Sequence, residues 1–367
     1  MTKRELFRAA MNGERTDRFC HLEQGFLPEA YERFRGEGAP GGGIVPDLFA
    51  PSAGDLFTCL NILKCGYIKP ETYAVPPFET KTVEETDRYI IYTDGKGVTL
   101  KVSKASACTP QYLEFPIAGR ADYYKHRDRF TAGRGGLRQS SAITAAVAGY
   151  SGDQDYAAPC THMDGFFAFT REIMGVVNAL YCYYDDPELM HMMLDDRVDL
   201  YIEAYTPILD AIKLDYAFIW EDMCFKNGPF ISPALFREFC MPAYKRIISF
   251  LHDYGVKNIV VDSDGDVRLL LPLWLEAGVT SVLPFEVQAG MDIVEIGEAF
   301  PGLCIIGGIN KYALMGGREA IDAELGRVLP AMARRGRYIA SLDHWVPEYI
   351  SFDSFNYYVE KVQSFRI

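Results

Sequence analysis

The second half of the chain alternates short apolar runs with longer segments whose apolar residues recur at helical spacing. The short runs are rich in β-branched residues, and they include AFIW, NIVV, TSVL, LCII and YIAS. Parallel strands that are covered on both faces have this composition. Strands and helices in alternation predict βα units and an α/β fold. Because no glycine-rich phosphate fingerprint follows the first strand, we expect a single (β/α)8 TIM barrel and not an open doubly wound sheet.

The first part of the chain has a different pattern. Helical spacing recurs at residues 3–12 and 26–36, and residues 87–102 form two β-rich runs around an Asp94-Gly95 turn, which is typical of a hairpin. We therefore expect an N-terminal helical and β-hairpin extension over residues 1–139, acting as a cap, and a barrel core over residues 140–367, in one structural domain overall.

Two stretches begin the predicted core. The run SAITAAVAGY at 141–150 is interpreted as a barrel strand, and FFAFTREIMGVVNALYCYY at 166–184 as one long helix. At the other end of the chain, the aromatic segment FNYYVEKVQSFRI suits either a homodimer contact or docking on the barrel.

Composition narrows the functional classes. The 367 residues are 49% hydrophobic and carry a formal net charge of -13, which argues against a nucleic-acid partner because phosphate binding needs a basic face. The N-terminus lacks the apolar core of a signal peptide, and no run reaches transmembrane length. Nine cysteines are scattered without C-x-x-C spacing. We expect a cytoplasmic enzyme with no membrane partner and no local thiolate zinc site.

Polar side chains stand where the apolar runs end. They are Glu221 and Asp222, Asp262 and Asp264, Glu286, Asn310, and Asp343 with His344. Catalytic groups of (β/α)8 barrels come from the carboxyl ends of several strands. These residues therefore predict one active site.

The spacing suggests roles within that site. Asp262 and Asp264 are two residues apart, so on an extended strand they face the same way, and with His344 they form a predicted metal site to which Glu221 could add a ligand. A helix cap is the simpler alternative for this loop, and it fits Asp266 better. Catalytic roles are predicted for Glu221, Glu286, Asp343 and His344. The alternatives are an ion pair with Lys226 or a turn cap for Glu221, an ion pair with a neighbouring strand end for Glu286, and a surface or satisfied core position for His344.

Aromatic residues flank the same loops. The predicted substrate-binding residues are Phe166, Phe167, Asp222, Phe225, Asn310 and Trp345. A cavity lined by aromatic rings suits an apolar or aryl substrate.

Four segments resemble the uroporphyrinogen decarboxylase superfamily, over the region from residue 140 to the end. They are EDMCFKNGPFISPALFREFCMPAYKRI, VDSDGDVRLLLPLWLEAGVTSVLPFEVQAGMDI, IIGGINKYAL and SLDHWVPEYISFDSFNYYVEKV. The arginine-bearing segment MRQAGRYLPEY of the decarboxylase corresponds here to GFLPEAYERF, without the arginine pair. Where zinc methyltransferases of the superfamily have a His-x-Cys pair, this chain has Asp262-Ser263-Asp264, and His344 stands near the position of their second cysteine.

The resemblance implies a corrinoid-dependent methyltransferase. It would demethylate a methoxylated substrate, an aryl methyl ether, with help from zinc, and pass the methyl group to the cob(I)alamin of a partner corrinoid protein. Two alternatives are a decarboxylase-like lyase, for which Arg18, Arg120 or Arg171 would hold a substrate carboxylate, and a non-catalytic binding protein that keeps the barrel.

Overall fold

The computed structural model describes residues 1–41, 55–105, 110–133, 138–150, 155 and 157–367. The helices before residue 150 are α1 (Lys3–Asn12), α2 (Pro28–Gly36), α3 (Leu56–Cys59), α4 (Arg120–Phe130) and α5 (Ser141–Gly149). Those that follow are α6 (Phe166–Met174), α7 (Val176–Asp185), α8 (Pro187–Ala211), α9 (Pro233–Leu235), α10 (Met241–Asp253), α11 (Leu271–Ala277), α12 (Ile293–Ala299), α13 (Gly317–Arg335) and α14 (Phe352–Ser364). A π-helical turn (Phe236–Cys240) joins α9 to α10, and 3-10 turns cover Val287–Ala289 and Lys311–Gly316.

The strands are short. Those of the first part are β1 (Cys20–His21), β2 (Lys64–Ile68), β3 (Lys81–Glu85), β4 (Tyr89–Thr93), β5 (Thr99–Ser103) and β6 (Gln111–Glu114). The rest are β7 (Ala157–Thr161), β8 (Met163–Asp164), β9 (Ala217–Trp220), β10 (Cys224–Phe225), β11 (Gly228–Pro229), β12 (Ile259–Asp262), β13 (Ser281–Leu283), β14 (Cys304–Ile306) and β15 (Tyr338–Ala340).

A parallel sheet lies at the centre of the molecule. Its seven strands run in the order β1-β15-β14-β13-β12-β9-β8, and every neighbouring pair is parallel. Strands β2 and β7 form a second parallel pair. Single parallel bridges, Leu22 with Leu63 and Cys160 with Tyr216, link this pair to the β1 and β9 sides of the larger sheet. The α/β class predicted from the alternating pattern is confirmed.

Helix α1 packs across the amino-terminal ends of the strands. Its apolar residues Leu6, Phe7, Ala10 and Met11 belong to one buried cluster with inward-facing strand residues such as Ile339. Two polar contacts fix its place, because they involve residues that immediately precede strands. Arg4 pairs with Asp215, just before β9, and Arg337, just before β15, donates to the carbonyl oxygen of Met11.

The first 139 residues contribute more to the sheets than the sequence pattern indicates. Strands β1 and β2 both come from this part, and β1 pairs in register with β15, Cys20 opposite Ile339. The hairpin expected at 87–102 is present as β4 and β5, which pair antiparallel within a four-stranded sheet of order β3-β4-β5-β6. A two-residue strand such as β1 carries too little periodicity to be found from sequence.

Two predicted elements are wrong. Residues 141–149 form helix α5 instead of a strand, since Ser140 caps it by accepting from the amide of Ile143 and its alanines favour a helix. The single helix expected at 166–184 is two helices, because Gly175 adopts a left-handed φ of 77° and separates α6 from α7.

The C-terminal aromatic segment docks on the chain itself. Helix α14 buries Phe355, Tyr358, Val359 and Val362. In the part of the chain that the structure covers, no helix has both the length and the apolar character needed to cross a bilayer.

Candidate active site

Three side chains from different strand ends meet at the carboxyl edge of the central sheet. Asp264 follows β12, Glu286 follows β13 and His344 follows β15. One ligand atom of each lies within 4.8 Å of the other two, and the Nε2 atom of His344 is 3.3 Å from Oδ2 of Asp264. All three side chains are half-buried. We call Asp264, Glu286 and His344 the mouth triad.

The loop after β12 is held in place by backbone contacts. The amide of Gly265 donates to Oε2 of Glu286 at 3.0 Å, which orients that carboxylate and leaves Oε1 available. Gly265 has a φ of 81°, and a Cβ there would lie 2.6 Å from the carbonyl oxygen of Phe225. The next amide, of Asp266, donates to that same oxygen. A glycine is therefore required for the loop to approach β10 and present Asp264.

Charges within the triad shift its acid–base behaviour. Burial disfavours the charged imidazole, but the hydrogen bond to Asp264 and the charge of that carboxylate outweigh burial, so the pKa of His344 is raised. Burial, and next the negative charge of Asp264, raise the pKa of Glu286. The charge of Asp264 thus raises the pKa of both of its neighbours, His344 and Glu286.

Asp262 lies outside the triad, although its position in the chain predicted a metal ligand. It ends β12 half-buried, and over the described ranges its carboxylate has no hydrogen-bond partner. Burial, followed by the charges of Asp264, Asp222 and Glu286, raises its pKa well above the ordinary value. The structure brings the predicted ligands Asp264 and His344 together, and Glu286 takes the third position.

Glu221 does not reach the triad either. Its side chain is fully buried and accepts hydrogen bonds from the amides of Phe166, Phe167 and Ala168 and from the hydroxyl of Tyr244. It therefore caps the amino terminus of α6, where backbone amides and the helix dipole favour an anion. Burial nevertheless dominates and raises the pKa of Glu221 to about 7. The structure therefore does not bring Glu221, predicted as a catalytic residue and a possible metal ligand, to the mouth triad.

The carboxylate of Asp343 also accepts hydrogen bonds from backbone amides. It is fully buried and accepts from the amides of Val287 and Lys311 at 3.0 and 2.9 Å, so it ties together the loops that follow β13 and β14. Burial raises its pKa, and the nearby Lys311 ammonium partly offsets that effect. Asn310 caps the adjacent 3-10 turn by accepting from Tyr312. These residues position the rim beside His344.

An open cleft of about 420 Å³ adjoins the triad. Asp264 and Glu286 form one side, and its other lining residues include Arg171, Asp222, Lys226, Phe225 and Phe230. The guanidinium of Arg171 donates to Asp222 at 2.9 Å and lies over the Trp220 ring, 5.2 Å from its centroid. The cleft thus combines aromatic surface with a fixed cation next to the carboxylates.

The predicted aromatic residues separate into two groups. Phe166 and Phe167 are at most 1% exposed and pack in the core against Tyr244 and Phe230, so the structure does not bring them to the cleft. Phe225 and Trp345 are 62% and 42% exposed, and Phe225 lines the cleft. Consecutive aromatic residues at the start of a helix do not reveal which face is buried.

His162 is a half-buried polar residue that the sequence indicates only weakly. It follows β7, and its ring contacts Tyr67 and Phe218 edge-on or tilted. Its Nδ1 atom is buried and, among the described residues, unpartnered. Burial lowers its pKa to about 4. Its place at a strand end is the signal that could have found it.

The mouth triad has the donor chemistry of a catalytic zinc site. Zinc in enzymes accepts imidazole nitrogen and carboxylate oxygen, with three protein ligands and one open position. Asp264, Glu286 and His344 provide one nitrogen and two carboxylates, and Glu286 keeps one oxygen free of the Gly265 amide. The ligand atoms of these residues lie within 4.8 Å of one another, a spacing that suits one shared ion.

Comparison with known proteins adds a family and a fold. The family model for uroporphyrinogen decarboxylase (URO-D) matches residues 166–365. A methyltransferase from Methanosarcina mazei shares the fold with a TM-score of 0.65 at 14% identity, over 99% of this chain and 98% of that one. A protein described as a vitamin-B12-independent methionine synthase, from Listeria monocytogenes, aligns over 60% of this chain and 66% of its own with a TM-score of 0.37 and 14% identity. No curated protein matches the chain.

Proposed function

This chain belongs to the uroporphyrinogen decarboxylase family, and we propose that it acts there as a corrinoid-dependent methyltransferase. Its substrate is a methoxylated compound, an aryl methyl ether, and its methyl acceptor is the cob(I)alamin of a separate corrinoid protein. The observation that carries this proposal is the mouth triad, which stands beside an aromatic cleft open to solvent.

The chemistry explains why that observation matters. In ether demethylation the carbon–oxygen bond breaks, its electron pair stays on the oxygen, and the methyl group leaves to the cobalt nucleophile. An unactivated phenolic oxygen is a poor leaving group unless a positive centre or a proton stabilises it. Zinc held by Asp264, Glu286 and His344 would supply that Lewis acidity at the ether oxygen.

The surrounding residues have roles of their own. In the metal-free site Asp264 holds Nε2 of His344 at 3.3 Å, and both groups would turn to the ion when it binds; the Gly265 amide orients Glu286. Phe225 and Phe230, whose rings meet edge-on at 5.8 Å, provide the apolar wall for an aryl ring. Asp343 positions the loops after β13 and β14, so it acts through Glu286 and His344 and does not touch the substrate.

The site is proposed to lie at the mouth of a closed (β/α)8 barrel. The parallel bridges at Leu22 and at Cys160 support closure, since they link the β2–β7 pair to both sides of the seven-stranded sheet. Helix α1 covers the opposite end. The reactive carbon must therefore be reached from the mouth, where a partner protein has room to dock.

A decarboxylase-like lyase has weaker support. Such an enzyme needs cations that hold substrate carboxylates, and three arginines were the candidates. Arg18 contacts Asp17 and the carbonyl of Met1, and Arg120 pairs with Asp186, both away from the cleft residues. Arg171 does line the cleft, but Asp222 already pairs with it. A non-catalytic barrel would not need three ligand groups converging at its mouth.

The test combines metal content with methyl transfer. Elemental analysis should find about one zinc per chain, and cob(I)alamin should be methylated in the presence of a methoxylated aromatic compound, followed by its absorption spectrum. His344→Ala should lose both, whereas His252→Ala, a change at an exposed helical position, should keep both. Zinc-loaded protein that methylates no cobalt across a panel of aryl methyl ethers would overturn the proposal.

A further inference from the structure

A second cleft lies at the opposite end of the central sheet, where the strands begin. It has a volume of about 520 Å³ and is formed by the segment that follows α1 and by the carboxyl end of α13. Four arginines line it, Arg15, Arg334, Arg335 and Arg337, against one acidic side chain, Glu14. This local excess of positive charge contrasts with the net charge of -13 of the whole chain.

Two of the arginines are held rigidly by neutral acceptors. Arg335 donates to the carbonyl oxygens of Gly297, Phe300 and Leu303, at the end of α12, and Arg337 donates to those of Met11 and Asn12, at the end of α1. These contacts cap helices, but a carbonyl oxygen does not neutralise a guanidinium. Burial, together with the nearby charge of Arg337, lowers the pKa of Arg335. Arg335 and Arg337 therefore place two fixed positive groups close together in the wall of the cleft.

The other two arginines of the cleft, Arg15 and Arg334, are exposed to solvent. Within the described ranges, Arg15 and Arg334 form no ion pair and donate no side-chain hydrogen bond to a protein group. Glu14, the single acidic side chain of a lining that also includes Ile367, accepts from the side chain of Asn12. Two exposed guanidinium groups thus face a cleft whose wall carries two fixed ones.

We propose that this cleft is a binding site for a small, multiply charged anion of the phosphate class. Arg15 and Arg334 hold its oxygens in bidentate fashion, and Arg335 and Arg337 supply the fixed positive field. Guanidinium groups match the geometry of phosphate oxygens, and charge-assisted hydrogen bonds of this kind are the strong ones. The volume is within the range of small-molecule sites.

The position of the site determines what binding would do. Arg15 follows helix α1, which packs across the strand ends, and Arg334 belongs to α13 of the outer layer. An anion between them joins the two elements, so it stabilises the folded chain in proportion to its occupancy. The site is independent of the mouth triad and of the methyltransferase proposal.

Pyrophosphate is the probe for the test, with inorganic phosphate and succinate as comparison anions, all at one ionic strength. Calorimetric titration should show pyrophosphate binding to the unaltered protein, with a rise in melting temperature, and weaker binding of phosphate and succinate. The double variant Arg15→Gln/Arg334→Gln should bind pyrophosphate at least about tenfold more weakly, since each lost charge-assisted bond is worth that much or more.

The control is Arg88→Gln, which removes an exposed arginine beside the antiparallel sheet. It should bind pyrophosphate like the unaltered protein. The double variant should also keep the melting temperature measured without anion, because neither Arg15 nor Arg334 makes a contact that holds the fold. Absence of pyrophosphate binding at millimolar concentration, or equal binding by the double variant, would overturn the proposal.

Discussion

The Nε2 atom of His344 lies 3.3 Å from Oδ2 of Asp264, although strands β13 and β14 stand between their parent strands in the sheet. The contact spans the mouth and does not follow sheet neighbours. The contact pairs a base with an acid in a half-buried setting, and it raises the pKa of the imidazole by more than burial lowers it. The protonation of His344 is therefore controlled from across the sheet.

Replacing Asp264 by a neutral residue should lower the pKa of His344. In Asp264→Asn the carboxylate charge is lost while burial remains, so the pKa of His344 should fall from its raised value. The imidazole resonance in an NMR titration of metal-free protein measures it. Asp266→Asn is the control, because Asp266 pairs with Arg268 and not with His344. An unchanged pKa in Asp264→Asn would show that the contact does not persist in solution.

Glu286 should contribute directly to zinc affinity. Glu286→Gln keeps the size of the side chain and an acceptor for the Gly265 amide but removes the anionic ligand. We expect zinc to bind at least about tenfold more weakly in competition with a chelator. Glu276→Gln changes an exposed glutamate on α11 and should leave zinc affinity unaltered. Equal affinity in the two variants would remove Glu286 from the site.

Glu221 should make stability depend on pH. Its pKa is raised from 4.5 to about 7, so the folded protein retains a proton that the unfolded chain releases, and stability falls as pH rises from about 4.5 to about 7. This group alone accounts for roughly 3 kcal/mol over that range. Urea unfolding of Glu221→Gln should lack this part of the decline. The free energy of unfolding of the variant, relative to that of the unaltered protein, should therefore be higher at pH 7.5 than at pH 4.5.

The matched control for that experiment is Glu29→Gln, at an exposed position in the first turn of α2. Its urea unfolding should keep the decline in stability between about pH 4.5 and about pH 7 that Glu221 causes. If Glu221→Gln also keeps that decline, the carboxyl of Glu221 is ionised over the whole range and burial does not dominate.

Gly165 should tolerate no side chain. A Cβ at this position would lie 2.1 Å from Cδ of Glu221, so alanine must displace the carboxyl group from the amides of α6. We expect Gly165→Ala to lower the free energy of unfolding by about 1–3 kcal/mol or more. Gly119→Ala is the comparison, since Gly119 also precedes a helix, α4, but a Cβ added there would have no neighbouring atom within 4 Å. Equal losses in denaturant unfolding would contradict the role assigned to Glu221.

Asp343 should affect activity indirectly, because it holds in place the loops that follow β13 and β14. Asp343→Ala leaves the amides of Val287 and Lys311 without their acceptor, which costs about 1–3 kcal/mol for each buried group and loosens the loop that carries Glu286. Zinc affinity and stability should fall together, and Asp343→Asn, which keeps one acceptor oxygen, should fall less. A variant that loses methyl transfer but keeps both zinc affinity and stability would indicate a direct chemical role instead.

The pattern of the chain predicts the edge at which the site lies better than it predicts which side chains use it. Asp264 and His344 follow apolar strands, and that alone brings them to one edge of a parallel sheet. Glu221 follows a strand equally well, yet its partners are amides of α6, which lie far away in sequence. Local spacing cannot distinguish a carboxylate that caps a helix from one that faces the mouth.

The sequence pattern missed strand β1 and wrongly assigned residues 141–149 to a strand. Strand β1 has two residues, and its identity comes from pairing with β15 at the other end of the chain. Residues 141–149 are apolar without clear periodicity, so the cap at Ser140 decides for a helix. For β1 the information lies outside the window in which periodicity can be read, whereas the Ser140 cap lies directly beside residues 141–149 and is a local signal of a helix start.

The pairing of β1 with β15 also concerns the order of synthesis. The partners of Cys20 and His21, Ile339 and Ala340, lie 319 residues further along the chain and are made much later. Contacts of such large sequence separation form slowly, and unpaired strand edges invite association with other chains in the meantime. During translation the edge of β1 that faces β15 therefore stays unpaired until residues 339 and 340 are made, although Leu22 can bridge to Leu63 and Arg4 of α1 can pair with Asp215 before then.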